Sequence, residues 1–426
     1  VKSLSVVTLA GLGLIAASNL APISASAQEL VVYCIDANIK CSILEEPTRA
    51  FEAANPGITV KLELITNQAV AEALPVQLEA GEGPDASISS DLAGLRRYYL
   101  DLSPYVDAKF FEAQYGQVLS WMRDPDQPGA INGLPESLTV GGAYVNLTLF
   151  EQAGVEVPGE GATWDDWAAA TKKVAEATGT AAAMEMDRTG HRFAALAISE
   201  GAELVDDAGN VVVDDGLKRA IQKFVDWHKD GTMPADPWAA VGGTQFKAPF
   251  EDFLNAKTVF YFGGSWGLAR MGADFNDAFE WKVVPTPCGV SSCTAMPGGG
   301  AFSAFKGSKH PAEIAKYLAY LAQPDVMKPM LAKAVQIPAA TSLIESGITY
   351  EGITPATQEG LATFTAQIPK MAPAAFRFQG WRFQRAMMNA MATRISQAIN
   401  DELTVDDALA RIKEDVEIAM EASKSK

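Results

Sequence analysis

Histidine is nearly missing: the 426-residue chain contains three, His191, His228 and His310. Chemistry that needs clustered imidazoles, whether metal binding or acid–base catalysis, is short of material. Cysteine is also scarce, at four residues. The spacings Cys34-x6-Cys41 and Cys288-x4-Cys293 are not those of a zinc knuckle, and no histidine accompanies them. Basic residues number 34 against 52 acidic ones, a formal net charge of −18. The acidic residues are scattered, which argues against nucleic acid or an anionic membrane as partner and for a soluble monomer. Beyond residue 27 no charge-free run reaches membrane-spanning length. There is also no internal repeat and no low-complexity linker.

What is present begins with Lys2, the apolar stretch from Val6 to Ala17, and Ala25-Ser26-Ala27. A basic start, a short apolar core and an A-x-A site read as a signal peptide over 1–27, cleaved before Gln28. An anchor helix is the alternative, but Ser18, Asn19 and Pro22 interrupt the run. No cysteine lies near the cleavage site, so no lipoprotein signal is read, and a periplasmic location is expected. An even cysteine count in an exported chain reads as disulfides. Three pairings are possible, and the local ones, Cys34–Cys41 and Cys288–Cys293, are expected. The remaining chain is too long for one ordinary core and suits two lobes.

Strands are predicted at 30–34, 59–65 and 86–89, with helices at 44–54 and 69–80 between them. This β-α-β order implies a parallel sheet. Further helices are predicted from Trp164, capped by Thr163, and over 92–99, 191–200, 215–229, 246–256, 311–322, 324–333, 380–399 and 404–422. Strands recur near 141–146, 258–262, 280–284 and 300–305. Short strands alternating with helices indicate an α/β architecture. Residues 262–267, FGGSWG, satisfy G-x-S-x-G after a strand, the pattern of a hydrolase nucleophile elbow at Ser265.

Eight segments in order carry a resemblance: FEAANPGITV (51–60), GPD (83–85), GLP (133–135), YVNLTLFEQAG (144–154), TWDDW (163–167), FGGSW (262–266), SKHPAE (308–313) and TVDDAL (404–409). The chain resembles the extracellular solute-binding proteins of ABC sugar importers, the family typified by the maltose-binding protein. The resemblance implies the two-lobe periplasmic-binding-protein fold (type II), each lobe a mostly parallel sheet flanked by helices with the ligand cleft between. The N-terminal lobe would comprise 28–136 plus about 300–345, and the C-terminal lobe 137–299 plus about 346–426. It also implies a sugar ligand, a partner permease in the membrane, no cofactor and no catalysis. Sugar hydroxyls call for planar polar side chains, and apolar ring faces call for an aromatic.

Carried over position by position, the resemblance points to Asp36 and Asn38 after the first strand, Asn38 otherwise capping a turn. Asn67 and Gln68 follow the second strand at its carboxyl end, where open α/β sheets bind ligands. Asp91 lies where a carboxylate for sugar hydroxyls is placed, or alternatively caps a helix. Glu136 falls at the first hinge crossing, and Gly299 and Gly300 of a triple glycine fall at the second, where backbone approaches ligand. In the second lobe the candidates are Gly190 and His191 in the loop from Arg188, the Gly243-Thr244 pair, and Trp266 as the stacking ring. Arg377 and Trp381 lie in the segment before the last long helices. Trp381 could instead be core, whereas Arg377 would suit a carboxylate or sulfonate. The first lobe carries Asn67, Ser90 and Asp91 where long oligosaccharides would require tryptophan. A mono- or disaccharide or a small, possibly anionic glycoside is therefore expected.

Rival functions find less support. A triad in hydrolase order needs an acid and then a histidine downstream of Ser265, and only His310 lies downstream. Asp91 and Glu136 could form a glycosidase pair, yet binding alone explains them. Other solutes, such as glycerol phosphate or a polyamine, suit the same cleft chemistry. Iron does not, since Tyr98-Tyr99 is the only tyrosine pair and no histidine is near it.

Overall fold

The computed structural model describes Val1 and residues 28–35, 39–124, 126–234, 238, 249–273 and 278–424. The expectations placed on 1–27, on Asp36 and Asn38, and on Gly243 and Thr244 lie outside the described residues, as do the side chains of Asn67 and Gln68. Nine strands follow in chain order: β1 (Gln28–Cys34), β2 (Ile58–Leu64), β3 (Ala86–Ser89), β4 (Gly133–Asn146), β5 (Ala182–Met186), β6 (Thr258–Gly264), β7 (Trp281–Val284), β8 (Pro297–Ala304) and β9 (Ile337–Pro338). They lie in the order β2-β1-β3-β8-β4-β6-β5, with β7 and β9 also paired to β4.

The fold is α/β with two lobes, and its first sheet starts as the alternation in the sequence predicts. β1 alternates buried Leu30, Val32 and Cys34 with more exposed neighbours and pairs in parallel with β2 and β3. Its crossover helix, Cys41–Ala54, buries Leu44, Thr48 and Phe51. That core continues into Tyr317, Leu318 and Leu331 of two later helices, Pro311–Leu321 and Pro324–Ala334. A second core gathers Trp164, Trp167, Met184, Phe193, Phe224 and Phe260 with Met387 and Ile412 from the chain's end. A third, smaller cluster surrounds Tyr144, where Phe253, Tyr261, Trp281 and Phe364 pack ring against ring.

β4 joins the two sheets. Its first half pairs with β8 and β9, and its second half with β6 and β7. β8 in turn pairs with β3 through Ala301–Ala304. The β4–β8 ladder breaks register between Pro135 and Ser137, so Glu136 is the extra residue of a bulge, fully buried. Glycine is required along this crossing for strand contact. A Cβ on Gly299 would stand 2.5 Å from the Ser137 carbonyl oxygen, and one on Gly298 would stand 2.6 Å from the Thr139 hydroxyl. The triple glycine therefore admits the neighbouring strand, where sequence reasoning expected it to admit ligand.

Both disulfides form as expected, Cys34–Cys41 and Cys288–Cys293. The first links the last residue of β1 to the first residue of the following helix. Thr163 caps Trp164–Thr178 in a reciprocal capping box with Asp166. Two helix expectations are corrected. Residues 92–99 form turns and one short 3-10 segment, Arg96–Tyr98, and Asp91 accepts from the Gly94 amide there. The helix predicted over 246–256 is confined, among the described residues, to Phe250–Leu254. The helix predicted over 380–399 is present as Gln384–Ile399, preceded by a short helix, Pro373–Gln379. The sequence reading assigned nothing to Ala108–Met122, which buries Phe111, Tyr115, Val118, Leu119, Trp121 and Met122 along one face.

Candidate functional site

The carboxyl ends of parallel strands are where α/β sheets present ligand-binding groups. In the first sheet β2 ends at Leu64 and leads into the helix Asn67–Ala80, opened by Asn67 and Gln68 and capped by the Thr66 hydroxyl. β3 ends at Ser89, two residues before Asp91. In the second sheet β5 and β6 run parallel. The first residue beyond β5 is Asp187, and the first two beyond β6 are Ser265 and Trp266.

One of these groups bridges the two halves. Asp91 Oδ2 accepts from Arg385 Nε at 3.2 Å, so a carboxylate beside the first sheet pairs with a guanidinium on Gln384–Ile399, a helix of the second core. Nearby, Arg96 donates to the Trp121 carbonyl at 2.7 Å and to the Gly380 carbonyl at 2.6 Å. The Trp121 and Phe376 rings stack with centroids 6.1 Å apart.

The second-lobe wall is built on the helix Gly190–Ser199, capped by Thr189. Gly190 is required there, since a Cβ would lie 2.4 Å from Met388 Cα. His191 Nε2 faces two acceptors, the Pro297 carbonyl and Gln379 Oε1, each at 3.2 Å. Nε2 therefore carries the proton, and Nδ1 accepts from Arg192 Nη1 at 2.7 Å. Enclosure, reinforced by the charges of Arg192 and Arg385, pushes the imidazole pKa down to about 3, so the ring is neutral. Burial raises the Asp187 carboxyl above its ordinary range, while Arg192 and the Tyr261 hydroxyl pull it the other way. Tyr261 donates to both Asp187 oxygens, at 3.0 and 3.1 Å.

The FGGSWG segment has a structural explanation. Gly264 lies in extended backbone, and the benzo edge of Trp266 rests on it: a Cβ there would be 1.9 Å from Trp266 Cζ3. The Arg192 guanidinium covers the ring at 3.8 Å from its centroid. Trp266 thus has one face already occupied by an arginine. Ser265 is buried, and its hydroxyl accepts from the Val140 amide at 3.2 Å, tying the end of β6 to β4.

Two candidates do not join this group. Arg377 donates to the Val205 carbonyl and pairs with Glu203 and Asp207. Those partners follow the carboxyl end of Gly190–Ser199, about 15 Å along a ten-residue helix from His191. Trp381 is core: it packs on Phe378 and donates to the Gly209 carbonyl at 3.0 Å. The sequence reading missed Asp187, Arg192, Tyr261, Gln379 and Arg385. The available signal was the charged triplet Met186-Asp187-Arg188 ending a buried run, but β5, AAMEM, has the composition of a helix.

Among the described residues no three His, Cys, Asp or Glu side chains are placed to hold a metal ion, and no helix is long and apolar enough to cross a membrane. Two sheets sharing crossed strands, with polar side chains of both halves gathered at that crossing, define a two-lobed solute-binding protein. The chain belongs to the bacterial extracellular solute-binding protein family, whose model matches residues 40–328. It is 24% identical over 269 residues to the arabinooligosaccharide-binding protein of Bacillus subtilis, covering 58% of each. It is 29% identical over 168 residues to a binding protein of Brucella abortus, so it spans about two fifths (39%) of that relative's length. Among solved structures it is similar to an ABC substrate-binding protein of Listeria monocytogenes in complex with cycloalternan, with TM-score 0.76, 18% identity and coverage of 93% and 99%. It is also similar to maltose-bound MalE3 of T. maritima, with TM-score 0.74, 20% identity and coverage of 92% and 100%. The relatives are binding proteins.

Proposed function

We propose that this protein is the substrate-binding component of an ABC importer, capturing a sugar or small glycoside between its lobes and delivering it to a membrane permease. The observation that carries this is the meeting of Asp91 and Arg385 across the strand crossing, where each lobe offers polar groups to one space. Cycloalternan, maltose and arabinooligosaccharide in the relatives' titles support a carbohydrate. Contacts from both lobes favour a closed form, so ligand and closure are coupled. The lobes divide at the crossing, near 136 and 300, with the later exchange near 345. Residues 1–27 act as a signal peptide, and the mature protein is a periplasmic monomer.

The protein binds without reacting. Ser265 is buried with its hydroxyl engaged by the backbone. Among the described residues no contact brings His310 to it, and the role that explains its placement is structural. A thermal-shift screen over neutral sugars, sugar acids, sulfonated sugars, polyols and polyamines tests the proposal, because a ligand of the native state raises the melting temperature by mass action. Stabilisation by polyamines or glycerol phosphate, with every sugar inert, would replace the carbohydrate reading.

A further inference from the structure

Arg192 donates to His191 Nδ1 at 2.7 Å, and Arg385 follows Gln384, whose amide donates to the same Gln379 oxygen that His191 Nε2 reaches. Each arginine is held in place by partners that leave part of its guanidinium uncommitted. Arg192 is fixed by Trp266 on its face, by His191 at Nη1, and by Asp187, whose oxygen lies 3.6 Å from Nε. That separation is too long for a hydrogen bond, and the buried Nε–H has no partner among the described residues. Arg385 uses Nε on Asp91 at 3.2 Å, and neither of its Nη groups has a hydrogen bond among the described residues. Its side chain is 34% exposed, so those donors are open to a ligand.

A desolvated guanidinium with unused donors costs free energy until something accepts from it. The neutral His191 imidazole adds no charge of its own. The two nearby carboxylates are already engaged: Asp91 by Arg385 and the Gly94 amide, and Asp187 by Tyr261 and Arg192. What remains is a pair of guanidinium groups with donors left over, in a chain of net charge −18.

We infer that Arg192 and Arg385 together form a carboxylate receptor in the cleft, and that the ligand is a sugar bearing an acidic group. The inference rests on the carbohydrate reading above and narrows it. The planar forks of two guanidinium groups suit the two oxygens of a uronate, which a neutral sugar lacks. Trp266 acts here as a positioning residue that holds Arg192 flat, and Asp187 fixes its orientation.

The experiment is calorimetric titration of D-glucuronate and D-galacturonate, as monosaccharides and as disaccharides, against glucose, galactose and their neutral disaccharides. D-Glycerol 3-phosphate serves as an anion that is not a sugar. The expected result is binding of the acidic member of a pair with at least tenfold preference, weakening as salt is raised. Arg385→Gln should lower that affinity about tenfold to a hundredfold, the range for one charge-assisted contact. The partly exposed position of Arg385 lets this variant fold, and its unliganded melting curve verifies that. Equal or stronger binding of the neutral partner, no binding of any acidic sugar, or an unaltered uronate affinity in Arg385→Gln would overturn the inference. Neutral sugars binding alone would leave the carbohydrate reading standing. Binding of glycerol 3-phosphate with every sugar inert would remove both.

Discussion

Replacing Gly264 by alanine isolates the seat of Trp266. Its backbone is fully extended, with φ −177° and ψ −179°, so an L-residue meets no conformational strain. By strand propensity alone the substitution should stabilise by about 0.5–1 kcal/mol. The added methyl would, however, stand 1.9 Å from Cζ3 and 2.0 Å from Cη2 of Trp266, far inside van der Waals contact. The indole has to leave, and it takes with it the Arg192 contact at 3.8 Å, a term of about 0.5–2 kcal/mol. Overpacking adds about 1–3 kcal/mol, so a net destabilisation of about 1–3 kcal/mol is expected. A double-mutant cycle decides the cause. In a Trp266→Ala background the same alanine should be neutral or stabilising, giving a coupling of about 1 kcal/mol or more. Denaturant titrations of the four proteins measure it. Additive effects within a few tenths of a kcal/mol would refute the reasoning.

Ser265→Ala removes the buried acceptor of the Val140 amide and should cost about 1–3 kcal/mol in denaturant titrations, with ligand affinity unchanged by calorimetry. Each disulfide closes a short loop, with sequence separations of 7 and 5. Replacing either cysteine pair by serines should therefore lower stability by only about 2 kcal/mol, read as a shift between melts of variant and parent. Two histidines, His191 at about 3 and His228 at about 4, are held neutral by burial. The unfolded chain takes up those protons first, so both contributions are complete above pH 6.5 and fall as pH drops towards 4. Asp187, raised by burial, has the opposite sign in the carboxylate range. His191→Gln should flatten the decline in stability between pH 6.5 and 4, measured by urea titration at each pH.

The first sheet was legible because β1 and β2 alternate and their crossover helix ends at Asn-Pro-Gly. The crossing was legible in part: Gly133 and the triple glycine marked it, but the sequence could not reveal that the glycines make room for a neighbouring strand. Trp266 was read as the ring after β6, yet its partner Arg192 was invisible, since their contact joins a helix and a strand end far apart in the chain. Arg377 and Trp381 were placed in the segment before the last long helices, where their partners were not legible: Trp381 packs on Phe378, and Arg377 pairs with Glu203 and Asp207. Strand β5 was missed because alanine and methionine carry little strand signal, and the buried Asp187 at its end was missed with it.

β4 belongs to both sheets over its fourteen residues. Neither hydrophobic core can lose its sheet without tearing the ladder that the other depends on. Amides of this strand should exchange with solvent only through global opening. Heating should then produce one calorimetric transition for the whole molecule, although the chain buries its apolar side chains in separate cores.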